Sequence, residues 1–131
     1  FPSKEIFSHS KIEQIVNSMN KEKEEILSKV DFILIDEVSM LNYVDFLNLN
    51  LMLQKIRNSR LIFGGVQIGL FGDFYQLSPP NSEFYIFETK EWKDLKLLWC
   101  ELKENMRQKD DETYAKIVSE VRTGNISMET K

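Results

Sequence analysis

The sequence predicts an α/β chain in which helices flank a mainly parallel sheet. Three observations carry that expectation. "FILI" (residues 32–35) and "VQIGLFGD" (66–73) are apolar runs of strand length, and the first is rich in branched residues. Between them "YVDFLNLNLMLQKIR" (43–57) sets Val44, Leu47, Leu51 and Ile56 on one stripe at helical spacing. Strands that alternate with helices belong to parallel sheets, whose strands need long crossover connections.

Each element follows in turn. "SKEIFSHSKIEQIVNSM" (3–19) places Ile6, Ile12, Ile15, Val16 and Met19 at mixed helical spacings, which suits one or two helices. "NKEKEEILSK" (20–29) is a charged, solvated helix or loop. The unbroken run Phe32 to Ile35 suits a strand covered on both faces. Gly64-Gly65 reads as a turn before the second strand. "EFYIFETKEW" (83–92) suits a short turn or helix, and "LKLLWCEL" (95–102) a third strand in which Trp99 and Cys100 are packed; Trp92 also reads as core. "DDETYAKIVSEVRTG" (110–124) is a helix, with Asp110 or Asp111 as its cap, acids in its first turn, and Arg122 then Gly124 closing it.

Composition narrows the class of protein. Of 131 residues, 42% are hydrophobic and 29% charged, the balance of a globular chain. Seventeen basic against 21 acidic residues give a formal charge of -4, a poor footprint for an autonomous nucleic-acid binder, although a local groove can be basic on an acidic protein. The single cysteine, Cys100, excludes an internal disulfide and a cysteine-rich zinc site, and the single histidine, His9, reads as a surface or cap residue. No stretch reaches the roughly 18 apolar residues of a membrane span, so no membrane partner is expected.

The chemistry gathers at the strand ends, where open parallel sheets bind ligands. "FILIDE" ends in Asp36-Glu37 and "IGLFGD" in Asp73. Acids that follow apolar residues at once need a reason, because a buried unpaired charge costs several kcal/mol, on the order of the loss on breaking a buried ion pair. A bound Mg²⁺ supplies one, since it takes oxygen ligands and keeps several waters in nucleotide sites. Asp36 would hold the ion directly or through water, and Glu37 would orient or deprotonate a water attacking a phosphate. Taken alone, acids after a strand are more often a device for solubility than a catalytic pair. Gln76, an uncharged donor and acceptor just past the second strand, could contact a γ-phosphate or its attacking water. Phe74 and Tyr75 are rings of the kind that stack on bases in single-strand channels, although at such a turn at least one belongs to the core.

Three segments then occur in a telling order: "FILIDEVSML", "FGGVQIGLFGDFYQLSPP" and "LKENMRQKDDETYAKIVSEVRTG". Their order and spacing resemble the Pif-one-like and RecD-like DNA helicases of superfamily 1B, from about Val30 to Gly124. "IDEVSM" resembles that family's Walker B segment, motif II; "GDFYQL" resembles motif III; and "MRQ" resembles the Arg-Gln of motif IV. The resemblance implies a partial RecA-like P-loop NTPase domain. Residues 1–30 would be its helical lead-in, 31–105 the later part of the first RecA-like domain, and 106–131 motif IV with the connection toward the second. It implies ATP as substrate with Mg²⁺ held by Asp36, and Glu37 as the catalytic carboxylate. Gln76 would couple the γ-phosphate to movement on single-stranded DNA, with Asp73 supporting its loop. Arg107 would act as an arginine finger and Gln108 would position that loop. It further implies 5′ to 3′ unwinding of forked DNA in repair, recombination and telomere maintenance. The compartment would be a nucleus or mitochondrion in a eukaryote, or a bacterial cytoplasm.

The chain departs from the family at two places. No G-x-x-x-x-G-K-[ST] loop occurs in it, and no glycine at all precedes Phe32. Without those backbone amides and that lysine a triphosphate lacks its main cradle. Motifs V and VI are also absent, and "QLSPP" carries Ser78 where the family commonly has proline. These departures predict an internal fragment of a motor, with an open apolar sheet edge and no ATP turnover or unwinding by the 131 residues alone. The alternative reading is a non-catalytic, helicase-derived binding or interaction domain. A P-loop signalling NTPase ranks last, because it does not need "GDFYQL" and "MRQ" in this order.

Overall fold

A computed structural model of the chain describes residues 4–80, 82, 84–102 and 112–127. It divides into two compact units, Phe1–Leu97 and Leu98–Lys131.

The first unit begins with two short helices, α1 (His9–Asn17) and α2 (Lys21–Lys29). Each starts where a polar side chain takes a free amide of the first turn: Ser8 Oγ accepts from Lys11 N and Asn20 Oδ1 from Glu22 N. Strand β1 (Phe32–Ile35) follows, then a 3₁₀ turn at Val38–Met40 and helix α3 (Tyr43–Ile56). Asn42 caps α3 doubly: its Oδ1 accepts from Asp45 N at 2.8 Å and its Nδ2 donates to Asp45 Oδ2 at 3.0 Å. A second 3₁₀ turn, Ile62–Gly65, delivers the chain to strand β2 (Gln67–Leu70). The two strands pair in parallel, with Phe32 beside Gln67 and Ile35 beside Leu70, so α3 is their crossover.

Helix α3 is buried on two sides, which the single predicted stripe did not anticipate. Toward the sheet, Phe46 and Leu53 join Val38, Phe63, Val66, Ile86 and Trp92 in the main core. On its other side Met52 meets Ile12 and Val16 of α1. The two asparagines inside this helix are buried as well, and each is satisfied. Asn48 accepts from Phe7 N and donates to Glu5 O, fixing the segment before α1. Asn50 Oδ1 accepts from Phe63 N at 2.7 Å. That bond and the Phe46–Phe63 ring contact hold Phe63 at φ 49°, a conformation a bulky residue rarely adopts. At Gly64, φ is 64° and an added Cβ would lie 2.6 Å from Leu53 O. The Gly-Gly pair therefore serves as the expected turn and also permits close packing of backbones.

Arg57, at the end of α3, gathers carbonyls from two segments. Its Nε donates to Gly64 O at 3.0 Å, and its Nη1 reaches Ser28 O at 2.7 Å and Val30 O at 3.0 Å. One guanidinium so closes the end of α2 against the turn that precedes β2.

Three expectations are corrected. The strand β1 is not covered on both faces: Ile33 and Ile35 pack on the core, whereas Phe32 and Leu34 remain 46% and 56% exposed. Alternation along the strand sends every second side chain to the outer face, and that face is open. No third strand forms at 95–102, because the segment meets no strand to share a hydrogen-bond ladder and Lys96 turns the chain at φ 50°. Trp99 and Cys100 are accordingly exposed, not packed. Trp92 is buried as expected, in the short helix α4 (Lys90–Asp94) capped by Thr89.

In the second unit, helix α5 (Glu112–Thr123) ends at Gly124, which takes φ 72°, as the sequence predicts. The expected cap at Asp110 or Asp111 lies outside the described residues. Tyr114, Ile117, Val118 and Val121 form an exposed apolar face on this helix.

Candidate functional site

Two strand ends converge on one small region. Beyond the paired strands, Phe71 N donates to Ile35 O and Val38 N donates to Phe71 O, both at 2.9 Å. These bonds continue the ladder past both strands and bring Asp36-Glu37 alongside Gly72-Asp73. The approach is close enough that a Cβ on Gly72 would stand 2.8 Å from Val38 N, and Gly72 has φ 149°. Only glycine fits there without displacing backbone.

The turn after β1 exposes both acids. Asp36 Oδ1 accepts from Glu37 N at 2.9 Å, and Glu37 takes the left-handed conformation, φ 51°. The second oxygen of Asp36 has no partner among the described residues. No cluster of three or more His, Cys, Asp or Glu among the described residues could cage a metal ion. One exposed carboxylate nonetheless fits the way Mg²⁺ binds in nucleotide sites, where water and phosphate oxygens complete the shell. Two residues on, Ser39 is 1% exposed and its hydroxyl makes no hydrogen bond among the described residues.

The turn after β2 is organised by Asp73. Its Oδ1 accepts from Tyr75 N at 3.0 Å and its carbonyl accepts from Gln76 N at 3.0 Å. Gln76 Nε2 lies 3.5 Å from Asp73 Oδ2, at the limit of a hydrogen bond, so the amide is exposed and only lightly tethered. Phe74 and Tyr75 part company. Phe74 is half-buried, its ring edge-on to Tyr85, Phe87 and Trp92, whereas Tyr75 is 71% exposed. A cleft of about 390 Å³ between α1 and α3, lined by His9, Gln54, Lys55 and Arg60 among others, includes none of these residues. Arg107 and Gln108 lie outside the described residues.

Comparison with known proteins decides the family. The family model for PIF1-like helicases matches residues 5–131. The chain belongs to the PIF1-like helicase family. Among relatives, the ATP-dependent DNA helicase PIF7 of Trypanosoma brucei brucei is 39% identical over 102 residues, covering 73% of this chain and 10% of that protein. The ATP-dependent DNA helicase PIF1 of Saccharomyces cerevisiae is 35% identical over 104 residues, covering 76% of this chain and 12% of that protein. The crystal structure of the Pif1 helicase from Candida albicans superposes with a TM-score of 0.83 at 31% identity, over 92% of this chain and 28% of that one. Bacteroides Pif1 bound to single-stranded DNA has a TM-score of 0.85 over 99% of this chain and 32% of that one, at 24% identity, a likeness of fold. The chain thus spans a small part of the length of the relatives it matches, and its α/β architecture is a piece of their RecA-like fold.

Within a PIF1-like helicase, the strand-end acids and the Asp73–Gln76 turn fall in the segments that the sequence reading singled out. What that reading missed are the supports: Asn48, Asn50 and Arg57. A signal for the asparagines was present, since two amides between leucines in mid-helix are disfavoured unless each finds a partner.

Proposed function

We infer that this chain is the part of an ATP-dependent DNA helicase motor that carries the hydrolytic acids and the nucleotide sensor. Asp36 holds Mg²⁺, directly or through water, and the ion neutralises charge on the phosphates when bound. Glu37 orients and deprotonates the attacking water. Gln76 answers to the γ-phosphate, with Asp73 fixing its turn, while Arg107 reaches the phosphate as an arginine finger and Gln108 positions the Arg107 loop. Of the two candidate rings, Tyr75 is the more exposed and so the better placed to meet a base of single-stranded DNA, whereas Phe74 packs against Trp92. Unwinding proceeds 5′ to 3′ at forked DNA, in repair, recombination and telomere maintenance, within a nucleus, mitochondrion or bacterial cytoplasm according to the host.

The observation that supports this reading most is the paired bond at the strand ends, Phe71 N to Ile35 O and Val38 N to Phe71 O. It sets the acid turn and the glutamine turn side by side, which is what coupling hydrolysis to movement requires. The exposed but lightly tethered Gln76 amide suits a group that changes partner when a phosphate arrives. In a complete motor carrying these residues, Gln76→Ala should leave nucleotide binding within about twofold while cutting DNA-stimulated hydrolysis about 100-fold, the scale of a lost transition-state contact. Equal loss with and without DNA would deny Gln76 its coupling role. The 131 residues alone, lacking the phosphate loop, should show no ATP turnover above background; robust DNA-stimulated turnover by them would overturn the fragment reading.

A further inference from the structure

The rings of "FYIFETKEW" form an arrangement that the core does not require. Tyr85 and Phe87 are stacked, 9° from parallel with centroids 5.0 Å apart. Phe74 stands at 85° to Phe87, also at 5.0 Å, and 6.4 Å from Tyr85. That last distance is much shorter than the two 5.0 Å separations end to end. Phe74 therefore lies beside the stack, not on the outer face of Phe87. Phe87 keeps 38% of its surface exposed, and neighbouring Phe84, edge-on to Tyr43, keeps 51%. Beneath them Trp92 is buried and braces Phe74 at 5.8 Å.

We propose that the Tyr85–Phe87 stack is a base-stacking platform for single-stranded DNA, with the outer face of Phe87 receiving the base. This rests on the helicase reading and extends it to residues outside motifs II, III and IV. Planar rings held parallel on an outer surface can continue a stack, and base–aromatic stacking tolerates any sequence because every base has a π-face. The charge around it is mixed, with two lysines that could meet phosphates. Lys90 and Lys93, one turn apart on α4 and so on one face, are exposed and form no ion pair among the described residues. Glu88 accepts from Tyr85 N at 2.7 Å, and Glu91 and Asp94 adjoin the two lysines, so the platform draws its affinity from its rings rather than from net charge. The platform also has a mechanical link to the nucleotide sensor. Phe74 touches Phe87 with its ring, and Gln76 is two residues further along a turn pinned by Asp73. A base settling on Phe87 bears on Phe74 and through it on the Gln76 turn.

The test uses the 131-residue chain with a fluorescently labelled twelve-nucleotide oligo(dT) strand, followed by anisotropy. An abasic strand of the same length serves as the probe for phosphate contacts alone. The wild-type chain should bind oligo(dT) more tightly than the abasic strand. Phe87→Leu, which keeps apolar bulk and loses the π-face, should weaken oligo(dT) binding about tenfold, with an unchanged salt slope and Trp92 fluorescence reporting an intact fold. Phe87→Trp should restore binding. If Phe87→Leu binds as tightly as wild type, the platform is wrong and the helicase reading stands. If the wild-type chain binds oligo(dT) no better than the abasic strand, or not at all, the platform is likewise wrong. DNA stimulation of hydrolysis in a complete motor then judges the helicase reading separately.

Discussion

Gly72→Ala places a methyl group where the two strand ends meet, and its cost can be worked from the geometry. The new Cβ would stand 2.8 Å from Val38 N and 3.1 Å from Val38 Cγ1. Val38 N is backbone, already committed to Phe71 O at 2.9 Å, so it cannot yield without breaking that bond. Overpacking of this kind costs about 1–3 kcal/mol. A φ of 149° adds strain of about 1–3 kcal/mol for any residue but glycine. The sum, about 2–6 kcal/mol, is a large share of the roughly 5–15 kcal/mol typical of a whole domain. Urea unfolding followed through Trp92 fluorescence measures it. Gly65→Ala is the control: φ there is 82°, but the nearest contact, 3.3 Å to Leu61 Cδ1, is a side chain that can move. Its loss should be about 1–2 kcal/mol, close to the strain alone. A Gly72→Ala loss below about 0.5 kcal/mol, or one no greater than that of Gly65→Ala, would refute the claim that the strand ends are pinned in contact at this point.

Three further outcomes follow from the supports around the site. Arg57→Met removes four charge-assisted bonds to carbonyls, of which the one to Ser28 is exposed enough for water to replace and the one to Leu27 is long, and should cost about 2–4 kcal/mol in the same unfolding assay. Ser39→Ala has the opposite sign: it removes a buried hydroxyl without a partner and should be neutral or stabilise by about 1 kcal/mol. Glu13 has its carboxyl held below the ordinary 4.5 by the hydrogen bond and charge of Lys55. A depressed folded-state pKa gives stability that is present above the unfolded value and lost as pH falls through the folded one. The stability gap between wild type and Lys55→Met should therefore persist at neutral pH and close below pH 4.5. NMR titration should show the Glu13 carboxyl moving up in the variant.

Much of the arrangement was legible in the sequence, for identifiable reasons. The runs at 32–35 and 66–73 read as strands because they are short and apolar and are bounded by acids or glycine. The observed β2 stops at Leu70 because Gly72 must leave the ladder to pass Val38. Helix α3 was found within a residue of its end, since Val44, Leu47, Leu51 and Ile56 recur at helical spacing along it. Its second buried side was missed because Asn48 and Asn50 interrupt the apolar periodicity, and only the fold reveals that Phe7, Glu5 and Phe63 satisfy them. The run 95–102 has the composition of a strand, yet composition cannot supply the neighbouring strand that a ladder needs. Asp36, Glu37, Asp73 and Gln76 could be nominated from sequence because they follow two apolar strand-length runs, where parallel sheets bind ligands, although the exposure of Asp36 and Glu37 shows that burial cost was not the reason they stand there. Phe87 could not, because an aromatic residue in a mixed segment reads as core until its exposure is known.

The central claim is that the acids after β1 serve a phosphate and that Glu37 acts on the attacking water. Its most direct test is single-stranded-DNA-stimulated ATP hydrolysis by a complete motor carrying these residues, compared with its Glu37→Gln variant. The substitution keeps size and hydrogen bonding while removing the base. Hydrolysis should fall by about 100-fold or more, with Mg²⁺–nucleotide binding and single-stranded DNA binding within about twofold of wild type. Hydrolysis by Glu37→Gln within about twofold of wild type would contradict the account.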